Sequence, residues 1–259
     1  MISSASNTQI KEIQKLQKKA KLRNSTLTFV VEGKKMVEEA RNRILKVYIS
    51  ESYYKEDCMK TTVLNQDMVE IVEDKIFREI SETITPQGIL AIVRMPQYNL
   101  EKFLSMEHPF FMLLEDLRDP GNLGTILRTA EGAGVDGVIL SKDSVDLFNP
   151  KVVRSTMGSI FRMPFLYVED FHKTLKILQK NGVALYATDL NGNNYFNMES
   201  YEDSCGIIIG NEANGITKET KLIADCLVKI PMEGKVESLN AAIAAALMMY
   251  EVYGQRREK

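Results

Sequence analysis

Three stretches of this 259-residue chain carry side chains whose types and spacing could do chemistry. The first is Leu114-Glu-Asp-Leu-Arg-Asp-Pro-Gly-Asn-Leu-Gly-Thr-Ile-Leu-Arg-Thr-Ala130, where Pro120 and Gly121 turn the chain and Asn122 starts a helix. Arg128 follows about one and a half turns later, projecting back toward the strand ends. The second is Gly206-Ile-Ile-Ile-Gly-Asn-Glu-Ala-Asn-Gly-Ile216, a β-branched run that empties into a polar loop holding Gly210, Glu212 and Gly215. The third runs from Ile230 through Pro-Met-Glu-Gly-Lys-Val-Glu-Ser-Leu to Asn240, and its Ser238 and Asn240 are helix-capping types ahead of an alanine-rich helix. Glycine-bearing loops let a ligand approach the main chain, and free amides at a helix start favour a polar or anionic group. Singly, each side chain has a plainer reading: Arg128 pairs with Asp116 or Asp119, Asn122 and Ser238 cap helices, and Glu212 is a helix-start carboxylate.

The elements that must position these residues read as a parallel α/β sheet. Apolar runs over 110–114, 135–140, 165–168, 183–187, 207–209 and 226–230 alternate with helical patterns over 123–133, 150–157, 171–181, 218–224 and 238–254. Ligand sites in such sheets lie beyond the carboxyl ends of the strands, where all three loops fall. Upstream, residues 7–23 place Ile10, Ile13, Leu16 and Ala20 at helical spacing among lysines, predicting one basic amphipathic helix. Strands over 27–31, 45–49, 61–64 and 88–94, with helices over 33–43 and 74–82, complete a small α/β unit. Proline and asparagine punctuation between 95 and 109 marks a boundary, dividing the chain into domains at 1–98 and 106–259.

Composition narrows the class. The formal charge is only -2, yet residues 1–46 hold 11 Lys and Arg against 4 Asp and Glu, a local excess suited to a polyanion or to a merely solvated basic helix. Cys58, Cys205 and Cys226 show no CxxC spacing, and His108 and His172 stand alone, so neither a metal centre nor a Ser-His-Asp triad is expected. There is no GxGxxG and no GxxxxGK[ST], which leaves dinucleotide and P-loop sites without support. With no apolar run of membrane-spanning length and no secretion signal, a cytoplasmic protein without membrane contact is expected.

Taken together, the three motifs resemble, in order, those of the SpoU branch of the SPOUT RNA methyltransferases, and 30–40, Val-Val-Glu-Gly-Lys-Lys-Met-Val-Glu-Glu-Ala, looks like the start of an L30e-like RNA-binding domain. Ala213 stands where the family often has Gly, and Ala241-Ala242 where it often has Val-Ser. The resemblance implies a deep trefoil knot in the carboxyl-terminal α/β domain. It further implies S-adenosylmethionine held by the loops of Thr188, Gly210, Ile230 and Leu239, and a homodimer with the active site at its interface. Arg128 aligns with the family's catalytic arginine, while Asn122, Glu212, Ser238 and Asn240 would shape the pocket around it. The implied acceptor is a ribose 2′-hydroxyl, in ribosomal RNA ahead of transfer RNA. Base methylation by the same fold and a non-catalytic RNA-binding assembly factor are the alternatives.

Overall fold

The computed structural model describes residues 1–57, 66–194, 200–236 and 238–258, so the strand expected over 61–64, Cys58 and Glu237 lie outside them. It resolves into two compact units, Met1–Gln97 with Asp146–Phe161, and Tyr98–Val145 with Arg162–Lys259.

In the first unit, helices α1 (Thr8–Lys18), α2 (Ala20–Thr26), α3 (Lys34–Glu39), α4 (Glu51–Asp57) and α5 (Asp74–Ile80) surround strands β1 (Thr28–Glu32), β2 (Ile44–Ser50), β3 (Val69–Val72) and β4 (Ile89–Arg94). The strand order is β1-β4-β2-β3, antiparallel except for the β2/β3 pair. Ile10, Ile13 and Leu16 pack with Tyr48, Phe77, Leu90 and Ile92 in one core. The single helix predicted over 7–23 is broken: Lys19 is extended, and Ala20 falls on the exposed start of α2. Arg23 explains the break, because its buried guanidinium donates to the carbonyls of Leu16 and Gln17 at 2.6 and 3.0 Å, satisfying acceptors that α1 leaves open. Strand β3 and helix α4 had no counterpart in the apolar pattern.

The second unit carries α6 (Leu100–Leu104), β5 (Phe110–Leu114), α7 (Pro120–Gly132), β6 (Gly137–Ser141), β7 (Phe165–Val168), α9 (Phe171–Lys180), β8 (Ala184–Asn194), β9 (Cys205–Ile209), α10 (Lys218–Ile223), β10 (Cys226–Lys229) and α11 (Ala241–Glu258). The intervening α8 (Pro150–Ser155) belongs to the first unit, where Phe148 and Phe161 pack on Phe29 with ring centroids 4.8 and 5.9 Å apart. All pairings in the six-stranded sheet are parallel, in the order β10-β8-β9-β5-β6-β7. Unbroken runs such as Phe110–Leu114 are buried throughout, as strands covered on both faces must be. Because β9 inserts between β5 and β8, the order reverses there, and the loops leaving β5 and β9 converge at the switch point.

Candidate active site

The first loop is shaped by its own polar groups. Asp116 adopts a left-handed backbone (φ 53°) and is held by Ser141, whose hydroxyl accepts from the Asp116 N–H and donates to its carboxylate at 2.8 and 2.7 Å. Asp119, not Asn122, caps α7, accepting the Asn122 N–H at 2.7 Å, with Pro120 in the first turn. Released from capping, the Asn122 side chain donates to Glu212 Oε1 at 3.1 Å and accepts from Asn240 Nδ2 at 2.8 Å. A carboxylate can only accept, which fixes the amide orientation. Glu212 also receives the backbone N–H groups of Arg118 and Asp119 at 3.1 and 2.9 Å. Burial alone would push its carboxyl up; the donors of Asp119, Arg118 and Asn122 outweigh that and hold it below the usual carboxylate range. Asn240 completes the relay by capping α11, accepting from Ala242 N at 2.9 Å. That helix starts at Ala241, so Ser238, expected at its first position, lies ahead of the cap.

Beside this relay is a cavity of about 360 Å³ whose lining includes Thr188, Gly210, Ile230 and Leu239, with Glu212 and Ser238. Its walls follow from two backbone features. Strand β8 pairs with β10 through Ala187 and again from Asn193, so residues 188–192 bow out of register, and 188–191 face the space. Gly210 sits so close to the returning loop that a Cβ there would lie 2.2 Å from the Gly215 carbonyl carbon, and Gly215 itself takes φ 66°. Apart from three charged side chains, the lining is apolar, small or amide-bearing, a surface suited to a mixed polar and apolar small molecule.

Arg128 projects from α7 to solvent, is absent from the cavity lining, and makes no hydrogen bond or ion pair with any described residue. The plainer reading of it as a structural partner fails, since Asp116 is engaged by Ser141 and Asp119 by Asn122. Residues 109–250 match the model of the SpoU rRNA methylase family. The chain belongs to that family. Residues 7–91 match the MRM3-like substrate binding domain. Over 260 aligned residues this SpoU chain is 33% identical to the 23S rRNA (guanosine(2553)-2′-O)-methyltransferase RlmP of Bacillus subtilis, covering 98% of this chain and 99% of the relative. Among solved structures, an AdoMet-bound rRNA methyltransferase from Sinorhizobium meliloti superimposes with a TM-score of 0.85 at 32% identity, covering 99% of this chain and 97% of that one. The SpoU methyltransferase AviRb from Streptomyces viridochromogenes, in complex with AdoMet, gives 0.83 at 26% identity, covering 97% and 98%.

Two polar clusters of this SpoU unit escaped the motif pattern. Buried Glu115 accepts Thr217 N at 2.9 Å and the Thr217 and Thr220 hydroxyls at 2.8 Å each, with His172 Nε2 3.3 Å away, pinning the end of the Gly210–Ile216 loop to β5. Asp189 and Lys221 form an ion pair in the cavity wall. Only the capping pattern at Thr217 and the acid directly after β5 hinted at the first; nothing local hinted at the second. Cys205 is buried, and burial pushes its thiol up to about 11 despite nearby Arg256. Among the described residues, no cluster of His, Cys, Asp or Glu is placed to hold a metal, and no helix is long and apolar enough to cross a membrane.

Proposed function

We propose that this protein transfers the methyl group of S-adenosylmethionine to a ribose 2′-oxygen of ribosomal RNA. The observation that carries the reading is the single cavity in which Thr188, Gly210, Ile230 and Leu239 meet, flanked by the Glu212–Asn122–Asn240 relay. Relatives named for rRNA methylation and neighbours solved with AdoMet support it. When bound, the donor supplies a methyl group on a positively charged sulfur, so attack by oxygen needs alignment and exclusion of water more than a strong acid. Thr188, Gly210, Ile230 and Leu239 would hold the donor, and Asn122, Glu212, Ser238 and Asn240 would fix the loops around it.

Arg128 acts on the acceptor side. Its guanidinium carries only N–H donors and no acceptor, so it is not the base. It clamps the phosphate next to the target ribose and stabilises the developing alkoxide as the C–S bond breaks, the O–C bond forms and the hydroxyl proton leaves to solvent. Because Arg128 does not line its own cavity, we assign it to the cleft of a second copy. Ile243, Leu247 and Tyr250 support the homodimer: they are 52, 39 and 51% exposed at helical spacing on the first part of α11, residues 241–250, which carries no charged side chain. The carboxyl-terminal part, 106–259, is the catalytic domain, with a deep trefoil knot where the last strand and helix thread through an earlier loop. The amino-terminal part, 1–98, is an L30e-like RNA-binding domain, for which the exposed Lys11, Lys15, Lys18, Lys19 and Lys21 are the electrostatic support. A cytoplasmic location follows from the substrate.

The test is incubation of the purified protein with labelled S-adenosylmethionine and unmodified ribosomal RNA, followed by alkaline digestion. A methylated 2′-oxygen cannot attack the neighbouring phosphate, so label in an uncut dinucleotide is expected. Label in mononucleotides would mean base methylation, and no label would favour a binding factor.

A further inference from the structure

The cavity wall contains an ion pair that the three motifs leave unexplained. Asp189, on the bowed part of β8, has a side chain only 9% exposed, and its Oδ2 lies 2.5 Å from Nζ of Lys221, which is 36% exposed. Asp189 Oδ1 accepts the Asn191 N–H at 2.8 Å. Burial pushes this carboxyl up, but Lys221 and the Asn191 N–H outweigh it and keep Asp189 anionic at neutral pH. Lys221 is the one cation among the described residues of the lining, and the remaining charge there, Glu212, is already engaged by Arg118, Asp119 and Asn122. The cleft therefore faces one positive and one negative group side by side, the carboxylate held by Lys221 and by Asn191. Such a pair is the complement of a zwitterion, which can exchange one ion pair for two in a partly desolvated wall.

We infer that Asp189 and Lys221 form the subsite for the α-amino acid head of the methyl donor, Asp189 accepting from its ammonium and Lys221 donating to its carboxylate. The inference rests on S-adenosylmethionine being the donor. It differs from the other chemistry open to a carboxylate at a strand end, recognition of ribose hydroxyls, which a nucleoside without the amino acid head would share.

Calorimetric titration of the full chain with three ligands separates these cases. S-adenosylmethionine carries both head-group charges, its decarboxylated form lacks the carboxylate, and 5′-methylthioadenosine lacks the head entirely. Asp189→Asn is expected to weaken S-adenosylmethionine about tenfold or more, the size of a lost charged hydrogen bond, while 5′-methylthioadenosine binds as to the wild type, which also shows that the cavity is intact. Lys221→Met is expected to weaken S-adenosylmethionine but not its decarboxylated form. Equal losses for the donor and 5′-methylthioadenosine, or wild-type donor affinity in both variants, overturn the subsite alone. Failure of the wild type to bind any of the three overturns the donor reading and the subsite with it.

Discussion

Replacing Asn122 by Asp is the sharpest test of the relay. The substitution keeps an acceptor for Asn240 Nδ2 but turns a 3.1 Å hydrogen bond to Glu212 into an approach of two carboxylates. Two like charges about 4 Å apart repel by about 1 kcal/mol in water and about 4 kcal/mol at an effective dielectric of 20. Asn122 is buried but Glu212 is partly open to solvent, so the lower half applies. With the lost hydrogen bond to a charged group, about 1.5–3 kcal/mol before solvent compensation, the expected loss of stability at pH 7 is about 2–4 kcal/mol. The pH dependence carries the discriminating sign. In the wild type, Glu212 is held below its ordinary range, so its contribution is present above the unfolded value and is lost as pH falls below about 4.3. In Asn122→Asp the two carboxylates repel at pH 7, so the first to take up a proton does so at a raised value, and the penalty is present above that value and relieved as pH falls through it. Urea midpoints for the variant should therefore approach the wild type as pH falls from about 6 to about 4.5. Asn122→Ala, which adds no charge, should lose about 1–2 kcal/mol with no such recovery. A variant midpoint equal to wild type at pH 7, or a gap that does not close on acidification, would show that Asn122 and Glu212 do not touch in solution.

Gly210→Ala places a Cβ 2.2 Å from the Gly215 carbonyl carbon, and should cost about 1–3 kcal/mol of stability and at least about tenfold in donor affinity, read by thermal unfolding and calorimetry. Arg128→Lys keeps the charge but loses the fork; kcat should fall about 100-fold with donor affinity unchanged, and full activity at unchanged RNA affinity would rule out the clamp. Leu247→Glu, on the exposed stripe of α11, should convert dimers to monomers in sedimentation velocity and abolish turnover while leaving the fold intact by circular dichroism.

How far the chain announced this arrangement depends on how local each cause was. The strand Phe110–Leu114 begins and ends where its apolar run does, because burial on both faces leaves no polar position to blur the edges, and the edge strand Phe165–Val168 matches its run although Leu166 and Tyr167 are only half-buried. Helix starts were less legible. Asp119 and Asn122 are both capping types, and so are Ser238 and Asn240; in each case the choice is made by distant partners. Asn122 reaches Glu212, 90 positions away, and Asn240, 118 positions away, so no window of neighbouring residues contains the information. The same holds for Arg23, which looks like one more basic residue on a helical face and is instead buried against the carbonyls of α1. Strand β3 is short and interrupted by Glu70, too weak a pattern to stand out. Glu115 and Asp189 became visible only when Thr217 and Lys221 were brought beside them.

A site made largely of backbone loops raises the question of what keeps it from collapsing or opening. The loops after β5 and β9 and the segment before α11 are far apart in sequence. Ordering them costs about 1–2 kcal/mol per residue in backbone entropy, which a handful of apolar contacts around a 360 Å³ opening does not offset. The relay supplies the missing connections: Glu212 binds the first loop through two amides and a side chain, and Asn122 passes the link to the cap of α11. The loops that grip whatever fills the cavity are then preorganised by bonds within the protein itself. It follows that damage to the relay should lower stability and donor affinity together, since both draw on the same ordered loops. Damage at Arg128, which no described residue holds, should spare both and appear only in turnover; if Arg128→Lys weakened donor binding as Asn122→Asp does, the division between a cofactor-holding relay and an acceptor-side arginine would be wrong.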